Sequence, residues 1–193
     1  MCNLYRMEKA PDAIVGLARE LGREIAFPEG VPNFEPRDVR ITERAPIVRT
    51  AASGALELVE RRWSWPAPTG KPVFNFRGEG RRFAPAERCV VLTDGFYEFT
   101  TPEDPKAKRK DRWLFTWPEH DWFGIAGIVR HDPKVGEAFT LLTCEPGPDI
   151  EPYHNRQVVL LSPAACFGWL DAAEAEGAFI QPLPSGSLMV ARA

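Results

Sequence analysis

Proline punctuates this chain from Pro11 to Pro184, with 19 in 193 residues. Proline removes a backbone donor and fixes φ, so it stops helices and leaves only sheet edges and turns open to it. A helical bundle is therefore excluded, and a loop-rich β framework is expected. The spacing predicts one amphipathic helix over Pro11–Gly22, with Ile14, Leu17, Ala18 and Leu21 on one stripe and Gly22 to end it. A Pro/Gly-rich loop follows over Phe27–Pro36. Strands are predicted within Val39–Arg49, Ala55–Trp65, Arg88–Glu98, Trp113–Trp117, Trp122–Val129, Ala138–Cys144 and Gln157–Leu161, separated by turn formers. A capped helix is predicted over Ser162–Asp171. The length suits a single domain over residues 1–193. The residues alone support "β-rich with few helices".

No apolar run approaches the roughly 18 residues of a membrane span, and MCNLYRMEKAPDAI lacks the apolar core of a signal peptide. A cytoplasmic protein is expected, with no membrane partner. Cys2, Cys89, Cys144 and Cys166 form no CxxC pair, so neither a zinc site built on close pairs nor a disulfide framework is expected. No metal and no organic cofactor is implied. Residues 36–112 hold 16 Lys and Arg against 11 Asp and Glu, although the whole chain carries −3. A basic third can form a nucleic-acid face, but on charge alone solvated surface residues are the favoured reading. The densest run, Lys106–Arg112, is expected at a hairpin tip.

Cys2 carries the most chemistry. Cysteine is small enough for Met1 to be removed, which would leave an α-amine and a thiol on adjacent carbons. These titrate near ~8 and ~8.5. A 1,2-aminothiol condenses with an aldehyde to a Schiff base, and the thiol then closes a thiazolidine. Asn75, Glu98 and His154 add an amide, a carboxylate and an imidazole, a set suited to acid/base work on a carbonyl. Glu98 is flanked by aromatics in Gly95-Phe-Tyr-Glu-Phe99, so desolvation should raise its pKa. Alternation places Asn75 and Arg77 on one strand face. The competing structural roles are a turn cap for Asn75, a solvated strand position for Glu98 and an ordinary histidine for His154. His120 and His131 receive only that last role.

Six segments, in order, resemble the SRAP family, the SOS response-associated peptidases or abasic-site processing proteins. They are Met1-Cys2, Arg62-Trp-Ser-Trp65, Asn75-Phe-Arg-Gly-Glu79, Arg88-Cys-Val-Val-Leu-Thr-Asp-Gly-Phe-Tyr-Glu98, Phe123-Gly-Ile-Ala-Gly127, and Leu142-Thr-Cys-Glu145 followed by His154-Asn-Arg156. The resemblance implies an α+β fold: a twisted, mostly antiparallel sheet curling toward a barrel, with a few peripheral helices. It implies an enzyme of the DNA damage response, acting in peptidase and lyase-like chemistry. Such a protein binds single-stranded DNA and captures abasic sites covalently as a thiazolidine crosslink. Cys2 would be the nucleophile, Asn75 would orient the terminus and the sugar, Glu98 would shuttle protons, and His154 would assist ring opening. The peptidase step would be removal of Met1. Trp63 and Trp65 are candidates to stack on bases, and Arg62, Arg77 and Arg156 to contact phosphates. A monomer is expected.

The chain departs from the family pattern in three places. Asn3 and Leu4 stand where Gly-Arg is usual, leaving Arg6 as the nearest substitute cation. Gln157-Val158 stands where Met-Pro usually follows the histidine motif. The connection through Pro66–Gly70 is shorter. Two other readings compete: a glutamine amidotransferase-like hydrolase with an N-terminal cysteine, and a noncovalent single-stranded DNA binder. The first lacks an Asn-Gly-Asp segment for its oxyanion hole. The second predicts no complex that survives denaturation.

Overall fold

The run Cys89-Val-Val-Leu92 is too apolar to keep a wet face, and every residue of its strand, Arg88–Thr93, is buried. The computed structural model describes residues 1–20, 22–32 and 35–193, with the side chains of 10–13 and 20 outside that description. In it, this strand is one stave of a closed ring. Antiparallel pairing runs from Gly136–Cys144 to Phe123–Asp132, Arg88–Thr93, Arg44–Thr50 and Leu56–Trp63. A parallel contact, Ala138 to Arg62 and Phe139 to Trp63, closes the ring. The expected curl toward a barrel is thus present. Successive side chains serve opposite faces. Cys89 and Val91 pack with Ile47, Val59, Ile125 and Phe139, while Val90 and Leu92 pack with Val48, Leu58, Ala126 and Leu142.

The ring is tight at Phe123-Gly-Ile-Ala-Gly127. A Cβ on Gly124 would lie 2.5 Å from Cys166 Sγ, and one on Gly127 would lie 2.9 Å from the Thr140 carbonyl. Only glycine admits these approaches.

A second, fully antiparallel sheet runs Met189–Arg192, Asp111–Thr116, Gly95–Thr100, Leu4–Met7 and Arg37–Arg40. The extended stretch Arg88–Glu98 therefore divides at Asp94, its first half in the ring and its second in this sheet. Val39–Arg49 likewise divides, with Thr42 in the turn at φ 74°. The N-terminal strand and the strand 189–192 carry no distinctive sequence pattern and were not expected.

The first helix spans Ala10–Glu20, and Ile14 and Ala18 reach the core beside Val48 and Leu56. Leu21, the last member of the expected stripe, lies outside the described residues. The second helix spans Pro163–Asp171, capped by the Ser162 hydroxyl, which accepts from the Ala165 amide at 3.3 Å. Residues 101–110 join two paired strands of the second sheet, so Lys106–Lys110 sits in a hairpin connection. Among the described residues, no helix is long and apolar enough to cross a membrane. None of their His, Cys, Asp and Glu side chains form a group of three or more that could hold a metal ion.

Candidate active site

The second sheet positions the chain terminus. Leu4–Met7 is held on both sides, with Tyr5 opposite Phe96 on one neighbour and Val39 on the other. That pins Cys2 in the core, 1% exposed, with its Sγ 3.3 Å from the Leu4 carbonyl. Glu98 lies on the adjacent strand, 1% exposed. Its Oε2 is 3.2 Å from the Met1 ammonium. Burial pushes the Glu98 carboxyl up to about 7, partly offset by the ammonium. The neighbouring Tyr97 faces the other way and donates to Asp38 at 3.1 Å.

Asn75 arrives from the ring side. Its strand, Asn75–Arg77, pairs in parallel with Gly136–Cys144, setting Asn75 opposite Leu141 and Arg77 opposite Thr143. The Asn75 amide nitrogen donates to the Cys2 carbonyl at 2.8 Å. Two buried acceptors here have no partner, Asn75 Oδ1 and Glu98 Oε1. Orphaned buried polar atoms are costly and are characteristic of sites that complete their bonding with a ligand.

His154 caps a turn, its amide donating to the Ile150 carbonyl at 2.9 Å. His154 Nδ1 lies 3.1 Å from the Arg156 amide and 3.2 Å from the Arg156 carbonyl, so the Arg156 backbone fixes the ring and accommodates either tautomer. Burial, and then the chain-terminal ammonium, hold this imidazole below its ordinary pKa, so it is neutral at pH 7. Met1, Asn75, Arg77, Thr143, His154 and Asn155 line a cleft of about 530 Å³. The Cys2 thiol is pushed far up by burial and secondarily by Glu98, so it stays protonated.

Of the four candidates, Asn75 and His154 line the cleft, with exposed Arg77 at its wall. Cys2 and Glu98 are buried behind Met1, which lines the cleft and whose ammonium Glu98 holds. The structure distributes the other candidate contacts differently. Trp63 is fully buried, stacked on Phe139 and donating to the Phe74 carbonyl at 2.9 Å, so it offers no face to a base. Trp65 is 9% exposed and covered by the Arg130 guanidinium. Arg62 donates to the Thr42 carbonyl at 2.9 Å, away from the cleft lining. Arg156 borders the cleft, but Glu79 binds it at 2.5 and 2.7 Å and Glu145 at 2.6 Å, which neutralises it internally. Arg6 is committed to Asp94 and is no substitute for the missing arginine. Thr143 and Asn155 were not singled out, although both lie inside quoted motifs. A larger recess of about 750 Å³ lies between Gly78–Arg82 and Ala172–Gly177. It contains no nucleophile, and its Arg88 is paired with Glu176.

A family model described as SOS response associated peptidase (SRAP) matches residues 1–192. No curated protein matches. Among solved structures, a protein of Bordetella bronchiseptica is 20% identical with a TM-score of 0.70, the match covering 100% of this chain and 99% of that one. A phage-related protein of the same organism is 18% identical at 0.70, covering 100% and 94%. A Bacteroides thetaiotaomicron protein is 16% identical at 0.70, covering 99% and 91%. At these identities the three establish likeness of fold.

Proposed function

The chain belongs to the SOS response associated peptidase family, whose function is associated with DNA damage, and from that premise we propose that it captures abasic sites in single-stranded DNA through Cys2. The observation that carries the reading is the convergence on the terminus: Glu98 on the Met1 ammonium and Asn75 on the Cys2 carbonyl.

Hydrolysis of the Met1–Cys2 bond frees the Cys2 amine, which inherits Glu98 as its partner. The abasic sugar must open to its aldehyde. His154 delivers a ring proton to the sugar ring oxygen as the anomeric hydroxyl gives its proton to water, from which the imidazole is reprotonated. The Asn75 Oδ1 accepts from a sugar hydroxyl. As carboxylate, Glu98 takes the proton of the Cys2 ammonium, and the amine adds to the aldehyde carbon. As acid, Glu98 returns that proton to the departing hydroxyl, and one water leaves with formation of the imine. The thiol then gives its proton to the Glu98 carboxylate and forms the C–S bond. Glu98 passes that proton on to the imine nitrogen, and a neutral thiazolidine results. A group that titrates near 7 serves both directions at neutral pH. The buried thiol is a weak nucleophile until a base takes its proton, so the amine acts first. Arg77 contacts a flanking phosphate.

Intact-protein mass spectrometry tests the reading, on the protein alone and after mixing with single-stranded DNA bearing one abasic site. The expected result is loss of Met1 and an adduct one water lighter than the sum, absent in Cys2→Ala. A retained Met1, or a mature Cys2 without adduct, overturns it.

A further inference from the structure

In the mature form proposed above, only Cys2 and Asn3 precede the strand that aligns the nucleophile. That strand meets the Glu98 strand at just two paired positions, Tyr5 with Phe96 and Arg6 with Gly95. Slippage by one residue would displace Cys2 by about 3.3 Å and turn its thiol to the opposite face. Two backbone pairs are thin insurance against it, and Asn75 and Glu98 must loosen from the terminus to engage substrate.

A separate set of bonds fixes the register. Asp94, 6% exposed, stands where the chain passes from the ring to the second sheet. Its carboxylate accepts from Arg6 Nε, from the Glu8 amide at 2.6 Å and from the Lys9 amide at 3.0 Å. Arg6 Nη2 returns a bond to the Asp94 carbonyl at 3.3 Å. The Arg6 carbonyl in turn accepts from the Asp94 amide at 3.2 Å and the Thr93 hydroxyl at 2.6 Å. Packing is equally specific, because a Cβ on Gly95 would lie 2.8 Å from Leu114 and 3.5 Å from Arg6 Nε. Cys2 lies four residues before Arg6, just ahead of the strand Leu4–Met7, and Asp94 lies four residues before Glu98, just ahead of the antiparallel strand Gly95–Thr100. Locking Arg6 to Asp94 at one end therefore fixes how Cys2 meets Glu98 at the other. None of these bonding groups belongs to the cleft, so the lock stays closed while the cleft changes partners.

We propose that Asp94, with Arg6 as its partner, is a positioning residue that sets the register of the N-terminal strand and thereby the alignment of the Cys2 amine with Glu98. The inference rests on the condensation chemistry proposed above.

The test uses mature full-length protein, with Asp94→Asn and Arg6→Met as independent variants. Arg6→Met leaves both amide bonds to Asp94 intact, so it keeps the fold if the asparagine variant does not. Three quantities are measured well below the thermal midpoint: the adduct rate at saturating abasic DNA, its pH profile from 5.5 to 9, and the affinity for undamaged single-stranded DNA. A misplacement of an ångström or more in a reacting group costs about tenfold to a hundredfold in rate. The expected result is a fall of that size in both variants, loss of the limb near pH 7 that Glu98 gives the unmutated protein, and unchanged DNA affinity. A merely structural role would leave the profile of the folded fraction as it was. Unmutated rates and profiles in both variants overturn the inference, as does a rate loss matched by the loss of folded protein. If the unmutated protein forms no adduct, the condensation reading itself fails, and this inference with it.

Discussion

Glu98 is held near neutrality by burial, and that has a price in stability that can be measured. Its folded pKa is raised from 4.5 to about 7, with desolvation the largest cause. A raised carboxyl binds its proton more tightly in the folded chain than in the unfolded one. Its stabilising effect is therefore full below pH 4.5 and is lost as pH rises through 7. At about 1.4 kcal/mol per unit, the loss amounts to about 3 kcal/mol. Glutamine has nearly the same shape and no charge to bury. Glu98→Gln should therefore match the unmutated protein at pH 4 and exceed it by about 3 kcal/mol at pH 8.5. For a chain of this size, that is a rise in Tm of roughly 6–12 °C. The glutamine Oε1 can still accept from the Met1 ammonium, so losing the carboxylate does not strand it. Urea titrations of both proteins at half-unit pH intervals measure the difference. A gap that stays constant from pH 4 to 8.5 would refute the assignment of Glu98 as a buried acid titrating near 7.

Ser64 adopts φ 89°, a left-handed conformation that favours glycine, and its buried hydroxyl has no partner among the described residues. Relief of both outweighs the added freedom of the unfolded chain, so Ser64→Gly should stabilise by about 1 kcal/mol in the same titrations. Gly127→Ala drives a methyl to 2.9 Å from the Thr140 carbonyl and should cost about 3 kcal/mol, visible as a drop in Tm. Arg77 is exposed at the cleft and should touch one phosphate. Arg77→Ala should flatten the plot of log affinity against log salt for single-stranded DNA by roughly 0.7, and an unchanged slope would remove it from the interface.

The sequence makes the chemistry of the site easier to read than the path of the chain that builds it. Glu98 between aromatics signals a desolvated carboxylate, and alternation puts Asn75 and Arg77 on one face, because burial and period are local properties. Ring closure is not local. Leu56–Trp63 meets Gly136–Cys144 in parallel across most of the chain, and no periodicity records that meeting. The division at Asp94 was equally hidden, since both halves of Arg88–Glu98 are extended and apolar and only their neighbours differ. Leu4-Tyr-Arg-Met7 is too short to carry a pattern, although it is the strand that holds the nucleophile. Trp63 shows the reverse ambiguity, for an indole suits a base stack and a core equally well and only its packing on Phe139 decides.

Charge follows the same logic. The basic middle third can form a nucleic-acid face but on charge alone reads as solvated surface, and three of its arginines are spent on internal ion pairs. Arg49 and Arg61 share Glu137, Arg61 also binds Glu29, and Arg88 binds Glu176. At the cleft wall, Arg156 is neutralised by Glu79 and Glu145, and away from it Arg6 is neutralised by Asp94. Of the arginines at the cleft wall, Arg77 is the one whose charge faces outward unpaired among the described residues. One or two phosphate contacts give weak, salt-sensitive binding. The cleft wall itself therefore gives a strand little electrostatic hold, with Lys110 of the hairpin connection the further cation that acts on His154. Under the function proposed above, a thiazolidine at Cys2 would add a bond that salt does not screen. On that proposal, a wall with one outward arginine favours covalent capture over a noncovalent binder.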